Sequence, residues 1–165
     1  MDVKEIGNDW YLISIIDDHS IIACKLVHSA TAMTILSVLV RAIRMFGKPR
    51  QVLTDHGTQF FSNKGGESLF DAFCRKNGIE HILAGVRKPT TIGKVERWHR
   101  TVEEELLSKC SDIKEFSERL LDYIEWYNTE RPHWGIELRT PAEVYFADFK
   151  SMDELLSPAG VHEVP

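Results

Sequence analysis

Apolar residues along this chain follow two rhythms. Near the N-terminus they form dense short runs, Trp10–Ile16 (WYLISII) and residues 21–27 (IIACKLV). Both are rich in aromatic and β-branched residues and read as buried strands. The Asp-Asp-His-Ser link between them suits a hairpin. Residues 2–6 (DVKEI) alternate as a preceding strand, joined through the turn signal Gly7-Asn8-Asp9. The second rhythm is helical. Between residues 31 and 46, Ile35, Leu36, Leu39, Val40, Ile43 and Phe46 recur on one stripe, and Gly47 and Pro49 stop it.

Strand and helix then alternate. Gln51–Thr54 reads as a short strand, residues 67–76 as a helix carrying Leu69, Phe70 and Phe73, and residues 80–84 as another strand. Residues 85–93 (GVRKPTTIG) hold two glycines, a proline and no periodicity, and are expected to form a mobile loop. Helices follow over residues 94–109 and 113–127, the second ended by Arg131-Pro132. Thr140-Pro141 caps a last short helix. Five strands flanked by helices predict an α/β domain over residues 1–146, with a weakly patterned extension over 147–165.

Size and composition narrow the class. A chain of 165 residues with 43% hydrophobic and 27% charged content suits one soluble domain. Charged residues interrupt the apolar stretches well before membrane-spanning length, and no secretory leader is expected. Cys24, Cys74 and Cys110 are too dispersed for a zinc module or a disulfide framework and read as small core residues in a reducing cytosol. The seven histidines show no paired spacing for a metal site.

Net charge is −5, which by itself disfavours nucleic acid, but the charge is unevenly placed. Residues 85–101 carry Arg87, Lys88, Lys94, Arg97 and Arg100 against Glu96 alone, whereas residues 102–130 are acidic. A basic segment sits on an acidic body.

Three carboxylates stand at informative places. Asp2 opens the first strand, Asp55 ends the strand VLTD, and Glu96 lies in the first turn of a helix. Strand ends and helix starts of an α/β sheet converge on one edge, so the three can meet. Burying converging carboxylates is costly, and hard divalent cations relieve that cost. An aspartate leaving a strand ahead of a glycine is equally ordinary turn chemistry, so the acids alone do not decide.

The wider motifs do. MDVKEI with DWYLISIIDDHS, then VLTDHGTQF, GKVERWHRT, and WYNTERPH with RTPAEVY occur in this order between Asp2 and Tyr145. Together they resemble the catalytic core of retroviral-type integrases and of DDE transposases of insertion sequences. The resemblance implies an RNase H-like fold with a mixed five-stranded sheet. It also implies a catalytic triad, Asp2, Asp55 and Glu96, holding two Mg²⁺ or Mn²⁺ ions. The implied reaction is hydrolytic nicking at a transposon end, then attack of the freed 3′-hydroxyl on target DNA. A homo-oligomer acting on DNA in the prokaryotic cytoplasm, beside the nucleoid, follows by the same analogy. The alternatives are an RNase H-like nuclease that only hydrolyses, or an inactive DNA-binding or assembly module.

Individual residues are weighed beside that frame. Asp17 and Asp18 also follow an apolar strand and rival Asp2 as the first acid, although the resemblance assigns them to the hairpin. Lys94, Arg100, Arg87 and Lys88 are expected to contact DNA phosphates, and Arg97 to pair with neighbouring acids. His56 reads as structural, and His99 as an inert histidine on a helix surface. Gly57 reads as the pivot of a tight turn. Trp98, Trp126 and Trp134 read as packing residues, and Tyr127, Asn128, Arg131 and His133 as a lock between the last helices and the core.

Overall fold

The computed structural model describes residues 1–7, 9–17, 21–62, 65–84 and 93–147. The elements follow in the order β1 (Asp2–Gly7), β2 (Trp10–Ile16), β3 (Ile22–Val27), α1 (Ala32–Phe46), β4 (Gln51–Thr54), α2 (Leu69–Lys76), β5 (Glu80–Leu83), α3 (Gly93–Glu105) and α4 (Ile113–Thr129). A last helical stretch covers 141–147, one residue past the expected domain end. The tail beyond it, the 85–92 stretch, Asp18, Arg87 and Lys88 lie outside the described residues.

Pleat periodicity sorts the side chains into two cores. β1 and β2 pair antiparallel with Asp2 opposite Ser14 and Lys4 opposite Leu12, and β2 pairs with β3. Leu12, Ile22 and Cys24 therefore share one face, where they meet Val95, Trp98 and Val102 of α3 and Phe116 and Leu120 of α4. Ile13 and Val27 point the other way, onto Ile35 and Leu39 of α1 and Phe70 and Cys74 of α2. The result is three layers, helix, sheet and helix. Cys24 and Cys74 are buried in these cores, while Cys110 is half-buried.

The expected five-stranded sheet is not formed as one ladder. β1–β3 make an antiparallel sheet and β4–β5 a separate parallel pair. Among the described residues, the Met1 amino group donates to the Leu53 carbonyl between them at 2.8 Å. The apolar core nevertheless runs across this gap, since Met1, Ile13, Val52 and Phe60 belong to one cluster.

Helix ends follow their local chemistry. Thr31 accepts a bond from the Thr34 amide at the start of α1, and Gly47, at φ 90°, ends it in a conformation that suits glycine. Ser68 and Asp71 form a reciprocal cap on α2. α3 stops at Glu105, short of the expected Lys109, and the chain tightens into a 3₁₀ turn over Leu107–Lys109.

α4 docks on the sheet through the motif WYNTERPH. The Asn128 side chain accepts from the Ile22 amide and donates to the Ile22 carbonyl, both at 2.8 Å. Arg131 pairs with Glu105 at 2.5 Å and lies 5.4 Å from the Tyr127 ring centre, while His133 packs edge-on against the same ring. These contacts tie α3, α4 and β3 together.

The tryptophans divide. Trp98 is buried as expected, but Trp126 is 40% exposed and Trp134 is 87% exposed. Trp134 sits in the short 3₁₀ turn Trp134–Ile136 after α4, where neither core covers it. Among the described residues, no helix is long and apolar enough to cross a membrane.

Candidate active site

Asp2 opens β1 on the face that meets α3. Its Oδ1 accepts from the Val3 amide at 2.8 Å, and its Oδ2 lies 3.6 Å from His99 Nδ1. Burial holds this carboxyl above the usual aspartate range, against the opposing pull of the Val3 hydrogen bond. The charges of Asp55 and then Glu96 push it the same way as burial, and the N-terminal ammonium opposes them. Three acids from three separate elements thus share one electrostatic neighbourhood.

Asp55 follows β4. Its Oδ1 accepts from the Gly57 amide at 3.0 Å, an Asx-type turn that carries the chain out of the sheet. Gly57 does not adopt a positive φ, contrary to a glycine-only turn; the space beside its Cα is filled by the flexible Gln59 amide. The turn is anchored by Phe60, which is fully buried and packs edge-on against Phe70 at 5.2 Å.

Behind Asp55 runs a part-buried polar chain. Thr54 Oγ1 lies 3.0 Å from the Asp55 carbonyl and 2.8 Å from His81 Nε2. His81 Nδ1 in turn sits 2.5 Å from Asp71 Oδ1, the residue that caps α2. Desolvation raises the Asp71 carboxyl, but the bonds from His81 and Ser68 outweigh it and hold the group below its ordinary range.

Glu96 lies in the first turn of α3 and is exposed, together with Lys94, Arg97 and Arg100. Among the described residues Arg97 forms no ion pair, so the expected pairing with neighbouring acids is not made: Glu103 turns to Lys4 and Glu105 to Arg131. Arg100, one turn beyond Glu96, likewise forms none.

His99 departs most from expectation. It is 3% exposed rather than on the helix surface, because α3 packs its Trp98 and His99 against β2. Both side chains reach the hydroxyl of Ser14, each at 3.0 Å. Burial, with Lys4 and the N-terminal ammonium nearby, lowers the His99 pKa to about 4, so the ring is neutral at pH 7. Ser14 and His81 were not singled out from sequence; the available signal was one hydroxyl inside the apolar run WYLISII and one imidazole inside a short strand.

Asp17, the rival first acid, serves the hairpin: its Oδ1 accepts from the Ile21 amide at 2.7 Å. Among the described residues, no three carboxylate, imidazole or thiol groups are gathered closely enough to hold an ion. The donor set is nevertheless of the right type for a hard divalent cation, being three carboxylates, one of them desolvated and repelled by the other two.

Two family models described as Integrase core domain match the chain, over residues 1–89 and 77–141. The uncharacterized protein K02A2.6 of Caenorhabditis elegans is 30% identical over 84% of this chain, which spans 11% of that protein. The insertion element IS407 uncharacterized 31.7 kDa protein of Burkholderia multivorans is 25% identical over 87% of this chain and 51% of its own length. The chain therefore spans about half, or much less, of these relatives. Among solved structures, the catalytic core domain of BIV integrase has a TM-score of 0.70 at 17% identity, covering 92% of this chain and 95% of that one. The HTLV-2 integrase catalytic core domain in complex with magnesium has a TM-score of 0.67 at 19% identity, covering 87% and 92%. The overall fold is thus that of integrase catalytic cores, and the chain belongs to the integrase core domain family, the DDE cores of DNA integration and transposition.

Proposed function

We propose that this chain is a metal-dependent DNA strand-cleavage and strand-transfer core in which Asp2, Asp55 and Glu96 hold two Mg²⁺ or Mn²⁺ ions. One observation supports the reading: models described as Integrase core domain match residues 1–89 and 77–141, the span in which Asp2, Asp55 and Glu96 lie. When bound, such ions supply Lewis acidity for phosphoryl transfer. The chain's own groups do the rest. β1 and the Asp55 turn hold two carboxylates at the sheet edge, and α3 presents the third. Lys94 and Arg100 flank Glu96 and contact phosphates, joined by Arg87 and Lys88 from outside the described residues.

DNA is the substrate, and self-association accompanies its use, as the HTLV-2 integrase core is known in trimeric and dimeric magnesium-bound forms. The matches to bacterial insertion elements support action on DNA in a prokaryotic cytoplasm. The deciding experiment pairs Mn²⁺-supported cleavage with joining of a pre-nicked end to target DNA. Asp55→Asn is expected to abolish both while leaving the circular dichroism spectrum intact. Unchanged cleavage in that variant sinks the assignment, and cleavage without joining in the parent reduces it to hydrolysis.

A further inference from the structure

His81 is a titratable group to which the proposed chemistry gives no role, yet its side chain is only 6% exposed. Its Nδ1 lies 2.5 Å from Asp71 Oδ1, and an ionised carboxylate can only accept, so the ring donates there. Asp71 is itself held, since its Oδ2 accepts from the Ser68 amide at 3.3 Å within the α2 cap. The Phe70 ring packs edge-on against His81 with ring centres 4.8 Å apart. The other ring nitrogen, Nε2, meets Thr54 Oγ1 at 2.8 Å. A hydroxyl, an imidazole and a carboxylate in series can activate a nucleophile, but Thr54 is 1% exposed and no substrate reaches it. The series acts on the backbone instead.

Two peptide planes meet at the Asp55 Cα. The plane before it is pinned through the Thr54 carbonyl, which accepts from the Ala84 amide at 2.8 Å. The plane after it is pinned through the Asp55 carbonyl, which accepts from the Thr54 hydroxyl at 3.0 Å. That hydroxyl has a single proton, so its oxygen accepts from His81 Nε2, and a ring with protons on both nitrogens makes every bond of the series at once. We propose that His81 is a positioning residue for Asp55, holding the Thr54 hydroxyl on the Asp55 carbonyl and so fixing the direction in which the carboxylate leaves the backbone. Its functional consequence rests on the metal reading of Asp55 given above. The Gly57 amide restrains the Asp55 side chain through Oδ1, and the His81 series restrains the backbone that carries it. β5 and α2, which bear none of the three acids, thereby share in building the site.

Substitutions in the whole chain separate positioning from packing. Thr54→Val keeps the volume and loses the hydroxyl, Thr54→Ser keeps the hydroxyl, and His81→Leu removes the imidazole. In the metal-free chain, exchange of the Gly57 amide is expected to quicken about 3- to 10-fold in Thr54→Val, the worth of one hydrogen bond. Thr54→Ser should stay near the parental rate. His81→Leu should quicken it alone but add nothing in the Thr54→Val background, because it acts through that hydroxyl. A parental rate in Thr54→Val, effects that multiply in the double variant, or equal quickening at the Glu80 amide, bonded to Arg50 at the other end of the β4–β5 pair, overturns the proposal. Calorimetric titration reads the consequence: Mn²⁺ affinity should fall about 10-fold in Thr54→Val, as for a lost partner outside the ligand shell, and persist in Thr54→Ser. Unchanged affinity in Thr54→Val also overturns it. A parent chain that binds no Mn²⁺ sinks the metal reading instead, and the exchange rates then decide this proposal alone.

Discussion

The side-chain amide of Asn128 bonds both the amide and the carbonyl of Ile22, so one residue of α4 serves β3 as a neighbouring strand would. Both partners are buried, and neither Ile22 group has water as an alternative. Asn128→Leu strands a buried donor and a buried acceptor. Urea unfolding is expected to show a loss of about 2–5 kcal/mol. Asn128→Asp keeps the acceptor but sets a buried carboxylate oxygen against the Ile22 carbonyl, so at pH 7 its loss should equal or exceed that of Asn128→Leu.

Asp2 should trade stability for function. Burial first, then the charges of Asp55 and Glu96, raise its carboxyl pKa in the fold. A raised acid binds its proton more tightly when folded, so its ionised form costs stability as pH rises through the window between the unfolded and folded pKa values. Asp2→Asn removes that cost. Without metal at pH 7 the variant should melt above the parent, yet lose any upward shift of melting temperature that Mn²⁺ gives the parent.

The buried imidazole of His99 sets an acid limit. Its pKa falls from 6.5 to about 4 on folding, chiefly through burial. The unfolded chain therefore binds more protons between these values, and stability is full above pH 6.5 and lost as pH falls toward 4. The contribution is about 3 kcal/mol across that window. Unfolding free energies of parent and His99→Asn, measured from pH 7 to 4, should converge as pH drops.

The chain Asp71–His81–Thr54 should control the Asp55 turn. His81→Leu leaves Thr54 Oγ1 and Asp71 without their shared partner inside the α2 packing layer. A loss of about 1–3 kcal/mol is expected. Amide hydrogen exchange provides the local check: the Gly57 amide, bonded to Asp55, should exchange faster in the variant than amides of β2.

Elements were readable because their signals are local. Dense β-branched runs, a helical stripe closed by Gly47, and the Thr140 cap follow from neighbours within a few residues. The chemistry of Asp55 was ambiguous until the ordered motifs framed it. What sequence could not supply was partnership across distance. His99 looked like a surface residue because helical phase tells which side chains share a face, not which face meets the sheet. Ser14, opposite Asp2, becomes informative only once the β1–β2 register is known. The five expected strands are all present, but the single sheet is not, for a related reason: strand count says nothing about how the strands pair.

That pairing gives the site its mechanical character. Asp2 rides on the antiparallel sheet and Asp55 follows the parallel pair, and the Met1–Leu53 bond together with the apolar cluster of Met1, Ile13, Val52 and Phe60 joins the two. The seam passes between the two acids. A cation held by both acids would bridge the two sheets as it neutralises charge, so Mn²⁺ is expected to slow amide exchange in β1 and β4 together.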